Sequence, residues 1–143
     1  MNRHTFDNFR RLVYEKSGIN LGEKKEALVC ARVGKRMRAL GINDYKKYLE
    51  YLSEDESGRE IVELLDAIST NVTYFFRENQ HFELLRSLVR EWADEGRQRL
   101  RIWSAACSTG EEPYSIAMIL RESLNGFSDA KILATDISTK VLE

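Results

Sequence analysis

Three groups of residues in this chain have types and spacings that suit chemistry. The first is Asn71, Thr73 and Arg77, set among Val72, Tyr74, Phe75 and Phe76. This stretch is too β-branched and aromatic for a flexible linker, and too polar for a plain core segment. It fits either an ordered interdomain connector with its aromatics packed inward, or a lid that places amide, hydroxyl and guanidinium donors over a ligand. The second group lies between Arg101 and Ser115. Small residues from Ser104 to Thr109 close on Gly110, and Glu111, Glu112 and Pro113 follow. The third is Asp136, 26 residues beyond Gly110.

The elements needed to position these groups can be traced from the pattern. Leu100–Ala105 has the composition of a short apolar strand. Pro113 suits a first helical turn, where its missing N–H is tolerated. Ile116, Ile119 and Leu120 continue at helical spacing. A strand, a small-residue loop and a helix start is how α/β folds bring backbone N–H groups against a nucleotide-like ligand. Measured against G-x-G-x-x-G, only the last glycine, Gly110, is present, so the pattern by itself is weak. Lys131–Thr135 is a second buried strand with Asp136 at its C-terminal end. An acid about 20 residues past the glycine loop is where ribose hydroxyls are held, because a carboxylate accepts from both. The alternative is that Asp136 merely opens the turn before another helix capped by Ser138.

The chain has 143 residues, 43% of them hydrophobic and 31% charged, with a formal net charge of -1. This composition fits a soluble globular protein and exerts no global pull toward nucleic acid. No run approaches the ~18 apolar residues of a membrane helix, and no signal peptide opens the sequence. Cys30 and Cys107 lack the spacing of a metal site or a redox pair. No metal site is expected, and the cysteine usage suits a reducing cytoplasm. Cys107 lies where the loop wants a small side chain, which outweighs a nucleophilic role.

The N-terminal half is helical throughout. Thr5 is a candidate cap for a helix carrying Phe6, Phe9, Leu12 and Val13, with Gly18 ending it. A second helix spans about Glu23 to Leu40, with Val29, Val33, Met37 and Leu40 on one face, and Gly41 stops it. A third is capped by Asn43 or Asp44 and carries Tyr45, Tyr48, Leu49 and Leu52. A fourth holds Ile61, Leu64, Leu65 and Ile68. A further helix carries Phe82, Leu85, Val89 and Trp92, with Gly96 at its end. His81 on that helix suits a structural role better than a catalytic one. The second helix contains no acid between Ala27 and Asn43 but holds Arg32, Lys35, Arg36 and Arg38. Most such runs are solvated faces. Here the neighbouring helices mix both signs, so the stripe suggests a docking surface for an acidic partner.

Taken together, the run from Thr70 to Glu78, the run from Trp103 to Ser115 and the block Ala134 to Ile137 resemble the CheR family of chemotaxis receptor methyltransferases. The N-terminal half resembles that family's small helical domain, including its basic second helix. The resemblance implies an all-helical domain over residues 1–69, followed by an incomplete doubly wound α/β domain over residues 70–143. It implies S-adenosylmethionine as cofactor and glutamate side chains on the cytoplasmic helices of chemoreceptors as substrate. Cofactor contacts carry over onto Asn71, Thr73, Arg77, Glu112 and Asp136, with Glu111 a less favoured alternative to Glu112. Asp136 would hold the ribose, and Glu112 would meet the methionine ammonium or order its surroundings. Arg77, the candidate catalytic residue, would pair with the methionine carboxylate through its planar fork. Arg32, Lys35, Arg36 and Arg38 would dock the receptor's acidic face.

That chemistry asks little of the side chains. A glutamate carboxylate is already ionised at neutral pH and needs no general base. The protein has to align the carboxylate oxygen, methyl and sulfur, and exclude water. The sequence departs from the family at its C-terminal end. It supplies two strands where a methyltransferase sheet has about seven, and sheets normally need four to six strands for a covered core. A truncated, inactive piece is therefore expected, with exposed strand edges that invite exchange between two copies. The rival expectation is a non-catalytic adaptor, in which the helical domain docks on a receptor or signalling partner and the α/β part is scaffold.

Overall fold

The computed structural model describes residues 1–123 and 128–143. They divide into two compact units, Met1–Thr70 with Ile137–Lys140, and Asn71–Asp136 with Val141–Glu143.

The first unit is built on α1 (Arg3–Ser17), α2 (Glu26–Leu40), α3 (Tyr45–Glu54) and α4 (Arg59–Ile68). Gly18 and Gly41 end α1 and α2 in left-handed conformations, which glycine adopts without steric cost. Asp44 caps α3 by accepting from the N–H groups of Lys46 and Lys47. The cap of α1 differs from the expectation. Asn2 is the N-cap, and its side chain accepts from the Thr5 N–H. Residues Glu23–Lys25 form a separate 3₁₀ turn before α2, so the α-helix proper begins at Glu26. One apolar core joins Phe6, Phe9 and Val13 to Val29, Val33 and Met37, and these to Tyr48, Leu52, Leu64, Leu65 and Ile68. Full burial of each such side chain contributes about 1.5–3 kcal/mol.

Tyr48 links that core to a polar knot. Glu60 is buried and meets Arg36 through two hydrogen bonds, at 3.0 and 2.7 Å. The phenol of Tyr48, itself fully buried, donates to Glu60 Oε1 at 2.6 Å. Arg36 also reaches Glu63 at 3.1 Å. The hydrogen bond to Glu60 raises the Arg36 pKa further still, so the guanidinium stays charged. Burial first, then the bond to Glu60, raises the pKa of the Tyr48 phenol. The Ile137–Lys140 segment is held by α4 residues. Thr139 Oγ1 donates to Asp66 at 2.7 Å, and Lys140 reaches Glu63 at 3.0 Å. Burial pushes the Asp66 carboxyl up, but hydrogen bonds from Ser138, Thr139 and Lys140 outweigh it and leave the group below its ordinary value.

The second unit pairs β1 (Arg99–Ala105) with β2 (Asp129–Thr135) in parallel, in register from Arg99 opposite Asp129 to Ala105 opposite Thr135. Both strands extend beyond the apolar runs legible in the sequence. Helices α5 (Asn79–Asp94) and α6 (Glu111–Ser123) carry the rest. Phe82 and Val89 of α5, Ile116, Ile119 and Leu120 of α6, and Leu100 of β1 form the core, with Ile102, Ala130 and Ile132 packed against it. Trp103 and Leu133 are register partners on the opposite face of the sheet and stand exposed. His81 is exposed at the start of α5, with Glu78 3.6 Å away.

Candidate functional site

The C-terminal ends of β1 and β2 are tied together by the loop between β1 and α6. Ala106, Ser108 and Gly110 all have positive φ, at 70°, 47° and 102°. For the two non-glycines this is an uncommon conformation of the kind that clusters at functional sites. The bends aim the loop's N–H groups back at β2. Ala106 and Cys107 donate to the Thr135 carbonyl at 2.8 and 2.9 Å, and Ser108 donates to Asp136 Oδ2 at 2.8 Å. Gly110 donates to the Cys107 carbonyl at 3.0 Å. The glycine-loop comparison anticipated N–H groups presented to a ligand. Here those of Ala106, Cys107, Ser108 and Gly110 instead lock the loop to the strand end and to itself. The loop therefore does not offer these donors as a phosphate cradle.

The acids named from the sequence surround this loop. Asp136 stands half-buried at the end of β2. Glu111 and Glu112 occupy the first turn of α6, where carboxylates complement the helix dipole. Ser104 at the end of β1 donates to Glu112 Oε1 at 2.7 Å, and Thr109 donates to Glu111 Oε2 at 2.6 Å. Pro113 is the third residue of α6, within the first turn where its missing N–H is tolerated. Cys107 is buried. Burial, reinforced by the charges of Asp136 and Glu112, pushes its thiol up.

The Asn71–Glu78 stretch is ordered against the same loop and helix. The Asn71 carbonyl accepts from Ser108 Oγ at 2.8 Å. The Phe76 N–H donates to Ser115 Oγ at 3.0 Å, and the Ser115 hydroxyl in turn donates to the Glu111 carbonyl at 2.7 Å. The Phe76 ring meets Phe82 edge-on at 5.4 Å, so part of the aromatic run packs inward. Tyr74 and Phe75 remain exposed. Phe76 and Glu78 both have positive φ, which turns the chain sharply into α5. Asn71 and Thr73 are half-buried, while Arg77 is exposed and folds back so that its Nη1 donates to the Val72 carbonyl at 2.7 Å. Ser108 thus bonds to both the Asn71 backbone and the Asp136 carboxylate. Sequence reasoning passed over Ser108, because its contribution depends on a backbone conformation that residue type does not announce.

The basic stripe of α2 is not one continuous outer face. Arg32 Nη1 donates to the carbonyls of Ala67 and Ser69 at the end of α4, at 2.6 and 2.8 Å. Arg36 is spent on Glu60 and Glu63. Only Lys35 and Arg38 of the four stand exposed. The expectation of a four-residue docking surface is corrected accordingly: two of the cations hold the helical unit together. Among the described residues no helix is long and apolar enough to cross a membrane, and no group of His, Cys, Asp and Glu could hold a metal ion.

A loop locked to two parallel strand ends, with acids at the second strand end and the helix start, defines an α/β cofactor-binding unit, which follows a helical domain in the sequence. Residues 4–69 match the all-alpha domain of CheR methyltransferases, and residues 71–143 match their SAM binding domain. The chain belongs to the CheR methyltransferase family. A chemotaxis protein methyltransferase of Borreliella burgdorferi is 42% identical over 141 residues, covering 92% of this chain and 50% of the relative. Chemotaxis protein methyltransferase 2 of Pseudomonas aeruginosa is 43% identical over 142 residues, covering 99% of this chain and 50% of the relative. The Salmonella typhimurium chemotaxis protein methyltransferase is 43% identical over 141 residues, covering 95% and 47%. The chain therefore spans about half the length of the curated relatives it matches.

S-adenosylmethionine is the cofactor of the matched domain. It carries no phosphate, and its sulfonium and ammonium give it a net positive charge. A loop whose N–H groups are consumed internally, ringed by Asp136, Glu111 and Glu112, fits such a ligand better than it fits a dinucleotide.

Proposed function

We propose that this chain carries the cofactor-binding half of a methyltransferase that esterifies glutamate side chains on chemoreceptor helices. The observation that carries the reading is the Asp136 carboxylate, fixed by the Ser108 N–H at the end of β2. An acceptor held there by a backbone donor is oriented before any ligand arrives, and such preorganisation favours binding. Asp136 takes the ribose hydroxyls. Glu112, steadied by Ser104, takes the ammonium, with Glu111 beside it. Asn71 and Thr73 line the adjoining stretch. Arg77 has donors beyond the one given to Val72, and its fork suits a carboxylate. When bound, the cofactor supplies a methyl group already activated by the sulfonium. The chain's own residues hold and orient, and no general base is needed for an ionised glutamate acceptor. Lys35 and Arg38 form the exposed part of the receptor-docking face.

Turnover by the 143 residues alone is expected to be negligible, because they span half the length of the relatives. The test is calorimetric titration of the chain with S-adenosylhomocysteine. Weak binding is expected, and Asp136→Asn should weaken it at least tenfold further, about 1.4 kcal/mol. A chain that binds a receptor helix but no S-adenosylhomocysteine would favour the adaptor reading. Unchanged affinity in the Asp136 variant would remove that residue from the site.

A further inference from the structure

We propose that Ser108 is the positioning residue of this site, a role that rests on the cofactor reading above. Its main-chain N–H donates to Asp136 Oδ2 and its side-chain hydroxyl donates to the Asn71 carbonyl, both at 2.8 Å. Ser108 is buried, at 8% exposure, so neither bond competes freely with water. One residue thus fixes the strand-end acid with its backbone and the Asn71–Arg77 stretch with its side chain. These are the two segments from which most of the proposed cofactor contacts come.

The backbone supplies an independent argument. At φ 47° a glycine would be conformationally freer than serine. Glycine would keep the N–H bond to Asp136 and lose the bond to Asn71. The serine hydroxyl therefore has a function that offsets a backbone conformation unfavourable to any side chain. Ser115 supports the same stretch further along, through Phe76. Ser108 bonds to both segments.

Two variants separate positioning from mere structural support. Ser108→Ala removes the hydroxyl and keeps the backbone restriction. Ser108→Gly removes the hydroxyl and relieves it. Thermal melts of the 143-residue chain should rank the glycine variant as stable as or more stable than the alanine variant. Both variants should nevertheless bind S-adenosylhomocysteine about fivefold more weakly than wild type, the equivalent of one lost neutral hydrogen bond. Amide hydrogen exchange without ligand should speed up between Asn71 and Arg77 in both variants. Exchange in α5 should stay unchanged. A glycine variant that binds as tightly as wild type would overturn the inference, as would unchanged exchange in the Asn71–Arg77 stretch. A wild type that binds no S-adenosylhomocysteine would instead overturn the cofactor reading and the inference with it.

Discussion

Cys107 lies beside acids that work against its ionisation. Burial is the first cause of its raised pKa, and the charges of Asp136 and Glu112 add to it. A thiolate is the nucleophilic form, so a thiol held protonated is a packing residue here rather than a reactive one. The sign of the pH effect follows. A thiol whose folded pKa lies above its unfolded value favours folding fully below the unfolded value, about 8.5. That stabilisation is lost as the pH rises from there toward the folded value. Cys107→Ala should therefore flatten the alkaline limb of a stability profile above about pH 8.5. At pH 8, iodoacetamide should alkylate the half-buried Cys30 well before Cys107, as read by peptide mass spectrometry. Equal labelling of the two cysteines in folded protein would contradict this account. The same negative surroundings that suppress the thiol are those a cationic cofactor requires, so one electrostatic arrangement serves both ends.

At the scale of elements, what was legible in the sequence and what was not divides along a physical line. Gly18 and Gly41 announce their helix ends because left-handed backbone there is a property of the residue itself. The periodicities of α1 to α5 picked out Phe6, Val33, Tyr48, Leu64 and Val89, all of them buried. Asp136 could be placed at a strand end because the apolar run before it is short and continuous. The sidedness of the α2 charges was not legible. The partners of Arg36 lie 24 and 27 residues away on α4, and Arg32 bonds to backbone carbonyls, which leave no mark in residue type. Periodicity shows that a cation avoids the apolar core, but it does not show whether a neighbouring helix covers that cation. Ser108 was missed for a related reason, since its two bonds depend on a positive φ that serine rarely adopts. The Arg36 knot yields a direct prediction. Arg36→Ala should destabilise the helical unit by about 3 kcal/mol, because it leaves Glu60 buried without its cation. Lys35→Ala, one residue away but exposed, should change stability by less than about 0.5 kcal/mol. Urea unfolding curves on the two variants make the comparison. A small effect of Arg36→Ala would mean that Tyr48 and water satisfy Glu60 unaided.

Over the whole molecule, the near balance of 22 basic and 23 acidic residues means that partner attraction cannot come from net charge. It has to come from local arrangement, and on α2 the exposed cations are Lys35 and Arg38. Reversing all four basic residues of the stripe would be a poor experiment. Changes at Arg32 and Arg36 would strip the end of α4 of its cap and unpair Glu60, so lost binding would report lost folding. The informative variant is Lys35→Glu with Arg38→Glu, which should keep the wild-type melting profile. If this face docks the acidic surface of a receptor helix, the double variant should bind a receptor cytoplasmic fragment at least tenfold more weakly at low salt. Wild-type affinity should fall as salt is added, because exposed charges are screened over about 8–10 Å at 0.1–0.15 M ionic strength. The variant should respond more weakly to salt, and the two affinities should converge as screening removes the difference between them. Cofactor affinity should be identical in both proteins at every salt concentration, since neither substitution touches Asp136, Ser108 or Glu112. A double variant that binds the receptor fragment as tightly as wild type at low salt would reduce Lys35 and Arg38 to an ordinary solvated face. The receptor contact would then have to be sought on another surface.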